Sequence, residues 1–592
     1  MSGTKIKCII DPALQISEIT WERILLNIEI ESEYEGDLSF SIAKIVFPQE
    51  DSKDDDDSER ADILHGTLLQ DIPLVPVSVT GSRYRFCLNM STMDGRSFLD
   101  NGRWRFIARR SEPAGPENDA ASDKSKKSVP QVQLCTVSYE ASRTLRDRDR
   151  IFSYGNSKYS YNVWFSTYCG DSVNMVPILN SRFMITNNDW RDHYNVKERV
   201  TLKGKVRCLI KKFKLWMMQF VYDLIEKRQP KNGKRILFLS ETKPYIWGNL
   251  KYIDERLKER GLDKDYEISY SLKRRIGRRS SLKTWYRTLR LLAKQDFIFA
   301  DDLVPIFESL KLRRTKLVQV WHAGEGFKAV GYSRFGKKGS PHPAVSSHRS
   351  YDYVITGSKR LVDVYSEVFG IPKENVLPLG MARLDGFLDE AVVSSKKKEF
   401  YDEHPECNGK KLILFAPTFR GTGQNSAFYD YDKLDMDAIY DLCADKYIWA
   451  FKMHPFTKGK PQIPDAYTDR IIDLTDSRDI NDLYYVTDIM ITDYSSAYYE
   501  FALMGRPILF YTYDRTVYEV HRGVHKSILE TAPGKVCDTF DELIAALKAG
   551  DYELEKTLKF REENFGSYDG HAADRIIDCI LLGKKPDQSN MS

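Results

Sequence analysis

Residues 318–339 read VQVWHAGEGFKAVGYSRFGKKG. Four apolar or amide residues run straight into His322, and glycines and lysines crowd the stretch that follows. The run KLVQVW (316–321) predicts a short buried strand, so His322 falls where a strand ends and a loop begins. In open α/β sheets that is where ligands bind. The same pattern recurs on both sides. RILFLS (235–240), DFIFA (296–300) and DYVITGS (352–358) alternate with charged, helix-like segments. A second set follows: KKLILFAPT (410–418), YIWAFKMHP (447–455), RIIDLT (470–475), DIMITDYSS (488–496) and RPILFY (506–511). Each set supplies roughly four or five parallel strands, which predicts two doubly wound α/β domains facing one another across a cleft.

Upstream the rhythm differs. Residues 6–185 alternate with period two, as in RILLNIEIESEY, YRFCLNM, RWRFIARR and QVQLCTVSYE, and predict an antiparallel β-rich domain. Two inserts interrupt it, the acidic EDSKDDDDSER (50–60), which reads as a solvated loop rather than a metal site, and the polar SEPAGPENDAASDKSKKSVP (111–130). Between 203 and 234 the lysines Lys211, Lys212 and Lys214 share a helical segment with Leu215, Trp216, Met217, Met218, Phe220 and Val221. That mixture suits a helix lying on an anionic membrane and equally a linker helix packed between domains. The expected organisation is an N-terminal accessory domain (1–195), a basic amphipathic linker (196–233) and two α/β halves (234–392 and 393–592).

Bulk composition sets the limits. A chain of 592 residues with 42% hydrophobic and 29% charged content is globular and calls for several cores. With 89 basic against 85 acidic residues, overall charge does not mark a nucleic-acid binder. The nine cysteines are scattered without a C-x-x-C pair, which points to a reducing compartment and away from a structural zinc site. The N-terminus MSGTKIKCII has no apolar signal core, and no run of 18 apolar residues is present. A cytoplasmic protein is the expectation, with no tightly bound cofactor; no metal site is predicted, and a divalent-metal requirement and a homo-oligomer are left open.

Five segments just past predicted strands carry the candidate chemistry: WHAGEGFK (His322, Lys328), GMARLDGF (Arg383, Asp385), APTFRGTG (Thr418, Arg420), FKMHPF (Lys452, His454) and TDYSSAYYE (Asp493, Ser495, Ser496, Glu500). Arg420 and Lys452 offer positive charge to phosphate oxygens, Arg420 through a fork that binds bidentately. Ser495 and Ser496, where a turn enters a helix, add donors where the helix dipole favours anions. Two histidines, one in each half, suit a general base on an attacking hydroxyl and a stabiliser of a departing phosphate. Phosphoryl transfer asks mainly for positioning and charge neutralisation. Neither a P-loop, nor a G-x-G-x-x-G after a strand, nor a G-x-S-x-G elbow is present, which turns the reading from nucleotide hydrolysis, dinucleotide redox chemistry and a serine triad.

The blocks VQVWHAGEGFKAVGYSRFGKKG, GMARLDGFL, LILFAPTFRG, FKMHPF and INDLYYVTDIMITDYSSAYYEFALMGRPILFYTYD together resemble the CDP-glycerol glycerophosphotransferase family, the teichoic acid polymerases and primases. The resemblance spans about 234–582. It implies a GT-B pair of domains, acceptor side first and CDP-donor side second. It also implies transfer of a polyol phosphate from a CDP-polyol to a polymer on an undecaprenyl-diphosphate-linked saccharide, at the cytoplasmic face of the membrane. On that pattern His322 and His454 are catalytic or donor-contacting, with Asp493, Ser495 and Ser496 near the CDP diphosphate and Arg420 and Lys452 close by. Where glycerol-adding members commonly have WHG and then Pro, this chain has Ala323, and Ala382 stands where a Pro often precedes the arginine. The WHA…FK form, HRSY (348–351) and WERILL (21–26) look more like ribitol-phosphate polymerases, so CDP-ribitol is the expected donor, with CDP-glycerol as alternative.

Lys328, Lys337 and Lys338 would attract a polyanionic chain. KRRIGRRSSLKTWYRTLR (273–290), with Arg274, Arg275, Arg278 and Arg279, has eight basic residues and no acid, and fits lipid head groups or polymer phosphates. A nucleotide-sugar glycosyltransferase on the same fold and a non-catalytic polyanion-binding scaffold are the competing readings.

Overall fold

The computed structural model describes the chain apart from residues 1–2, 35–36, 48–62, 111–129, 156, 170–173, 186–201, 242, 273–281, 323–329, 338–339, 344–345, 422–425, 477–478, 523, 525, 567 and 586–592. The acidic run 50–60, most of the insert 111–130, Lys328, Lys338, Arg274, Arg275, Arg278 and Arg279 therefore lie outside the described residues.

The chain forms two compact units, one of Met1–Arg207 with Gly331–Ser346 and Phe369–Pro372, the other of the remainder. The first unit holds an 11-stranded, largely antiparallel sheet. Its alternating sequence gives it buried and exposed faces, as in Arg83–Asn89, where only Phe86 and Leu88 are buried. Strands Thr4–Glu22, Ile63–Leu74, Leu38–Val46, Gly102–Arg110 and Gln131–Val137 pair in a closed circuit. Ile6, Cys8, Ile45, Ile107 and Leu134 pack together in one of its cores. The segment Gly331–Ser346 belongs to this unit, with Tyr332 and Phe335 packed against Phe98.

The second unit contains two six-stranded parallel sheets. The first runs Glu267–Leu272, Arg235–Ser240, Phe297–Ala300, Lys316–Gln319, Tyr353–Ile355, Val376–Leu377. The second runs Ile471–Asp473, Tyr447–Phe451, Lys411–Phe415, Thr487–Thr492, Ile508–Tyr511, Lys535–Cys537, the doubly wound dinucleotide-fold order. Central strands such as RILFLS and KLILF are near-continuous apolar runs because helices cover both faces of a parallel sheet. Two doubly wound halves, preceded in the chain by an antiparallel β-rich domain, are the elements the sequence predicts. Each sheet has six strands rather than four or five; the additional ones include Glu267–Leu272, Val376–Leu377 and Lys535–Cys537.

The two halves are tied by the end of the chain. Helix Ala572–Ile576 and the turn Ile577–Leu581 place Ala573, Ile576, Ile577, Ile580 and Leu581 in the core of the first sheet. Arg256 and Arg260, at the end of helix Gly248–Glu259, pair with Asp574 at 3.0 Å each, and Arg260 reaches Asp578 at 2.7 Å.

Candidate active site

His322 sits past the C-terminal end of Lys316–Gln319, in a turn held from three sides. Asn249, buried at the start of Gly248–Glu259, donates through Nδ2 to the carbonyls of Val320 and Trp321, both at 2.8 Å. Gln319 Oε1 accepts from the Trp321 amide at 2.9 Å. His322 Nδ1 lies 3.0 Å from the Asp301 carbonyl. Trp321 takes φ = 41°, a left-handed conformation costly for a bulky residue, so the turn is held against local strain of about 1–3 kcal/mol. A carbonyl only accepts, so the Nδ1 contact places the ring proton there and leaves the Nε2 lone pair free in the neutral imidazole.

His454 is the counterpart on the second sheet, past Tyr447–Phe451. Its Nδ1 accepts from the Phe456 amide at 3.1 Å, and its ring packs in a cluster with Phe419 and Phe456 at 4.8 and 4.9 Å. With Nδ1 accepting, the neutral ring carries its proton on Nε2. The two half-buried histidines are thus held in opposite tautomers.

Arg420 is enclosed. Nε and Nη2 grip Asp514 at 2.7 and 2.9 Å, and Nη1 donates to Asp493 at 2.7 Å and to the Thr418 carbonyl at 2.9 Å. Tyr429, Tyr494, Tyr513 and Tyr518 surround the guanidinium at 5.0–5.4 Å. Burial opposes its charge, but Asp493, Tyr513 and Asp514 together hold its pKa above the usual arginine value. Asp493 also accepts from the Thr418 amide at 2.7 Å. Gly421 follows at φ = 96°, where a Cβ would meet the Ser426 carbonyl oxygen at 2.1 Å, so only glycine passes this turn.

Lys452 donates to the carbonyls of Leu474 and Thr475 at 3.0 and 2.9 Å. Burial depresses its pKa; Asp479, Asp476 and Asp473 oppose that, and Lys243 of the first half adds to it. Ser495 and Ser496 are half-buried at the start of Ala497–Ala502. The Ser495 hydroxyl accepts from the Ala497 amide at 3.3 Å, and Ser496 makes no side-chain cap bond. Glu500, in the same helix, forms a buried ion pair with Arg383 of the other half. Burial raises the Glu500 pKa, while Arg383 and then His322 act against it, which puts His322 within electrostatic reach of the second half. Asp385 accepts from Tyr568 Oη at 2.6 Å and from the amides of Ala572 and Ala573 at 3.0 and 2.8 Å, tying down the returning C-terminal segment. Burial raises its pKa against those donors.

In the second unit His322, Thr418, Arg420, Lys452, His454, Asp493, Ser495 and Ser496 follow strand ends of the two sheets, while Arg383 in the turn Ala382–Phe387 and Glu500 in helix Ala497–Ala502 pair with each other. Lys337 is exposed and belongs to the first unit. Among the described residues no group of three or more His, Cys, Asp or Glu is placed to hold a metal ion. The sequence profile of the family described as CDP-Glycerol:Poly(glycerophosphate) glycerophosphotransferase matches residues 221–582.

The chain belongs to this family.

Among its relatives, the teichoic acid ribitol-phosphate polymerase TarK of Staphylococcus aureus is 38% identical over 369 residues, 62% of this chain and 72% of that protein. The teichoic acid poly(ribitol-phosphate) polymerase of Bacillus spizizenii is 38% identical over 374 residues, 63% of this chain and 60% of that protein. The solved wall teichoic acid polymerase TagF, in a histidine-to-alanine variant, shares the fold with TM-score 0.51 and 21% identity, over 65% of this chain and 98% of that one.

Within this glycerophosphotransferase-family chain, three residues of the site escape the sequence reading. Asp301 stands directly past Phe297–Ala300, an address the strand-end rule already marks. Asn249 follows Trp247-Gly248, a break that opens a helix. Lys243, past Arg235–Ser240, faces the rings of Trp247 and Tyr245 at 5.0 and 5.5 Å.

Proposed function

We propose that this family member transfers ribitol phosphate from CDP-ribitol to a lipid-linked teichoic acid or related polymer and releases CMP. The observation that carries the mechanism is the opposed tautomers of the two histidines. An acceptor hydroxyl attacks the β-phosphorus, and the bond from that phosphorus to the oxygen of the CMP phosphate breaks. His322 Nε2, unprotonated in the neutral ring, takes the hydroxyl proton. His454 Nε2–H donates to a diphosphate oxygen and stabilises charge as it moves to CMP. Ser495 and Ser496 are accessible enough to hold the diphosphate. Arg420, Asp493 and Thr418 brace the wall behind it, and Lys452 lends positive charge while pinned to the Leu474 and Thr475 carbonyls. Arg383, Glu500 and Asp385 fix the halves so that both histidines address one substrate.

The ribitol choice rests on the WHA form of the His322 loop and on the ribitol-phosphate polymerases among the relatives. Purified protein with a primer of glycerol phosphate units, given CDP-ribitol or CDP-glycerol in parallel, is expected to release CMP from CDP-ribitol. CMP from CDP-glycerol alone keeps the reaction and overturns the polyol.

A site at the inner membrane face follows from the acceptor, and helix Leu202–Lys227 supports it. Among the described residues no helix is long and apolar enough to cross a membrane. This helix instead exposes Leu209, Phe213, Trp216, Phe220 and Leu224 along one stripe beside Lys211, Lys212 and Lys214, while Met218, Tyr222 and Ile225 are buried. An apolar stripe flanked by lysines suits the headgroup boundary of an anionic bilayer.

A further inference from the structure

Asp301 is 3% exposed and stands one residue past Phe297–Ala300. Its carboxylate Oδ2 accepts from the hydroxyl of Ser240, itself buried at the end of the neighbouring strand, at 2.9 Å. Its Oδ1 meets no hydrogen-bond donor among the described residues. Its backbone carbonyl is the group that receives His322 Nδ1 at 3.0 Å. A buried carboxylate with one oxygen unpaired is destabilising, and nothing in the strand ladder calls for an acid there.

We propose that Asp301 is a positioning residue for His322: its carbonyl selects the tautomer, and its carboxylate compensates the imidazolium that forms when His322 takes the acceptor proton. The proposal rests on the reading of His322 as general base in polyol-phosphate transfer. Before transfer the pair is a neutral ring and the buried Asp301 carboxylate, which interacts with it electrostatically. In the transition state the acceptor O–H bond breaks, the proton reaches Nε2, the new O–P bond forms and the P–O bond to CMP breaks. The carboxylate then faces a cation, and the proton passes to solvent before the next turnover. An interaction that strengthens only along the reaction lowers the barrier rather than KM.

The electrostatics agree. Burial pushes the Asp301 carboxyl up to about 6; the Ser240 hydroxyl and the charge of His322 pull it down, and Asp302 raises it. Among the described residues Glu500, paired with Arg383, also interacts electrostatically with His322.

The test is the pH dependence of kcat/KM for CMP release by the full chain, comparing wild type, Asp301→Asn and Ser240→Ala. Asp301→Asn is expected to lower kcat about tenfold or more, the effect of one pKa unit on the base, with KM for the CDP-polyol unchanged and the acid limb moved to lower pH. Ser240→Ala keeps the carboxylate but removes its donor, so its acid limb is expected to move to higher pH. Opposite shifts support the proposal, and Ser240→Ala decides it should Asp301→Asn fail to fold. An active wild type whose acid limb stays in place in the folded variants overturns this proposal alone. A wild type that releases no CMP from CDP-ribitol or CDP-glycerol overturns the functional reading and this proposal with it.

Discussion

Arg420→Met tests whether the arginine after APTF acts as a brace or as a ligand. The guanidinium makes four hydrogen bonds of 2.7–2.9 Å and is 7% exposed; Asp493, one of its carboxylate partners, is 1% exposed. Removing one member of a buried ion pair costs about 3–5 kcal/mol, because the remaining charge is left uncompensated. Two features favour the lower part of that range. Asp493 keeps the Thr418 amide, and the Asp514 side chain, 22% exposed, can rehydrate. A loss of about 3–4 kcal/mol, at roughly 2–4 °C per kcal/mol for a domain of 150–250 residues, lowers the melting of the second half by about 6–16 °C. Differential scanning calorimetry of the full chain reads this directly. Arg420→Lys is expected to recover only part, since an ammonium cannot grip Asp514 with two parallel bonds. A variant that melts within about 2 °C of wild type while its KM for the CDP donor rises more than tenfold would refute the reasoning, because the guanidinium would then belong to the substrate.

Three further outcomes follow from the same contacts. Arg383→Met leaves Glu500 buried without its cation, so the variant is expected to lose about 3–5 kcal/mol at pH 7.5. Because the Glu500 pKa is raised in the fold, protonation relieves this penalty, and the gap to wild type should narrow as pH falls toward 5; a gap constant across paired melts contradicts the account. Asp385→Ala removes the acceptor for Tyr568 and for the amides of Ala572 and Ala573, and should cost about 1–2 kcal/mol and speed hydrogen exchange over 572–581; unchanged protection there argues against the anchor. Replacing Phe213, Trp216 and Phe220 together by serine should reduce co-sedimentation with phosphatidylglycerol vesicles and leave turnover on a short soluble acceptor intact, whereas undiminished vesicle binding removes the interfacial role of the helix.

The fold is legible because parallel strands buried on both faces leave continuous apolar runs: RILFLS is read to the residue, and KKLILFAPT and YIWAFKMHP enclose the observed Lys411–Phe415 and Tyr447–Phe451. The strands that escape are those without such a run. Glu267–Leu272, at the edge of its sheet, has only Ser271 fully buried, and Val376–Leu377 is two residues long. The site is legible by address more than by wiring. His322, His454 and the serines follow from strand ends, but the partners of Arg383 and Arg420 lie 117 and 94 residues away, a pairing that no local pattern carries. Asp301 shows the converse, since FADDLVP puts an acid at a marked strand end and its relation to His322 appears only when neighbouring strands bring the two turns together.

The central claim is that the β-phosphorus of a CDP-polyol moves to the polymer. CDP-ribitol labelled with phosphorus-32 at the β-phosphate, incubated with the purified chain and a lipid-linked primer, tests it most directly. The account predicts label in the polymer, unlabelled CMP in solution in equal amount, and loss of both products in His322→Ala with its fold intact. Label retained on a released nucleoside diphosphate would mean that the polyol alone is transferred, and would contradict the account.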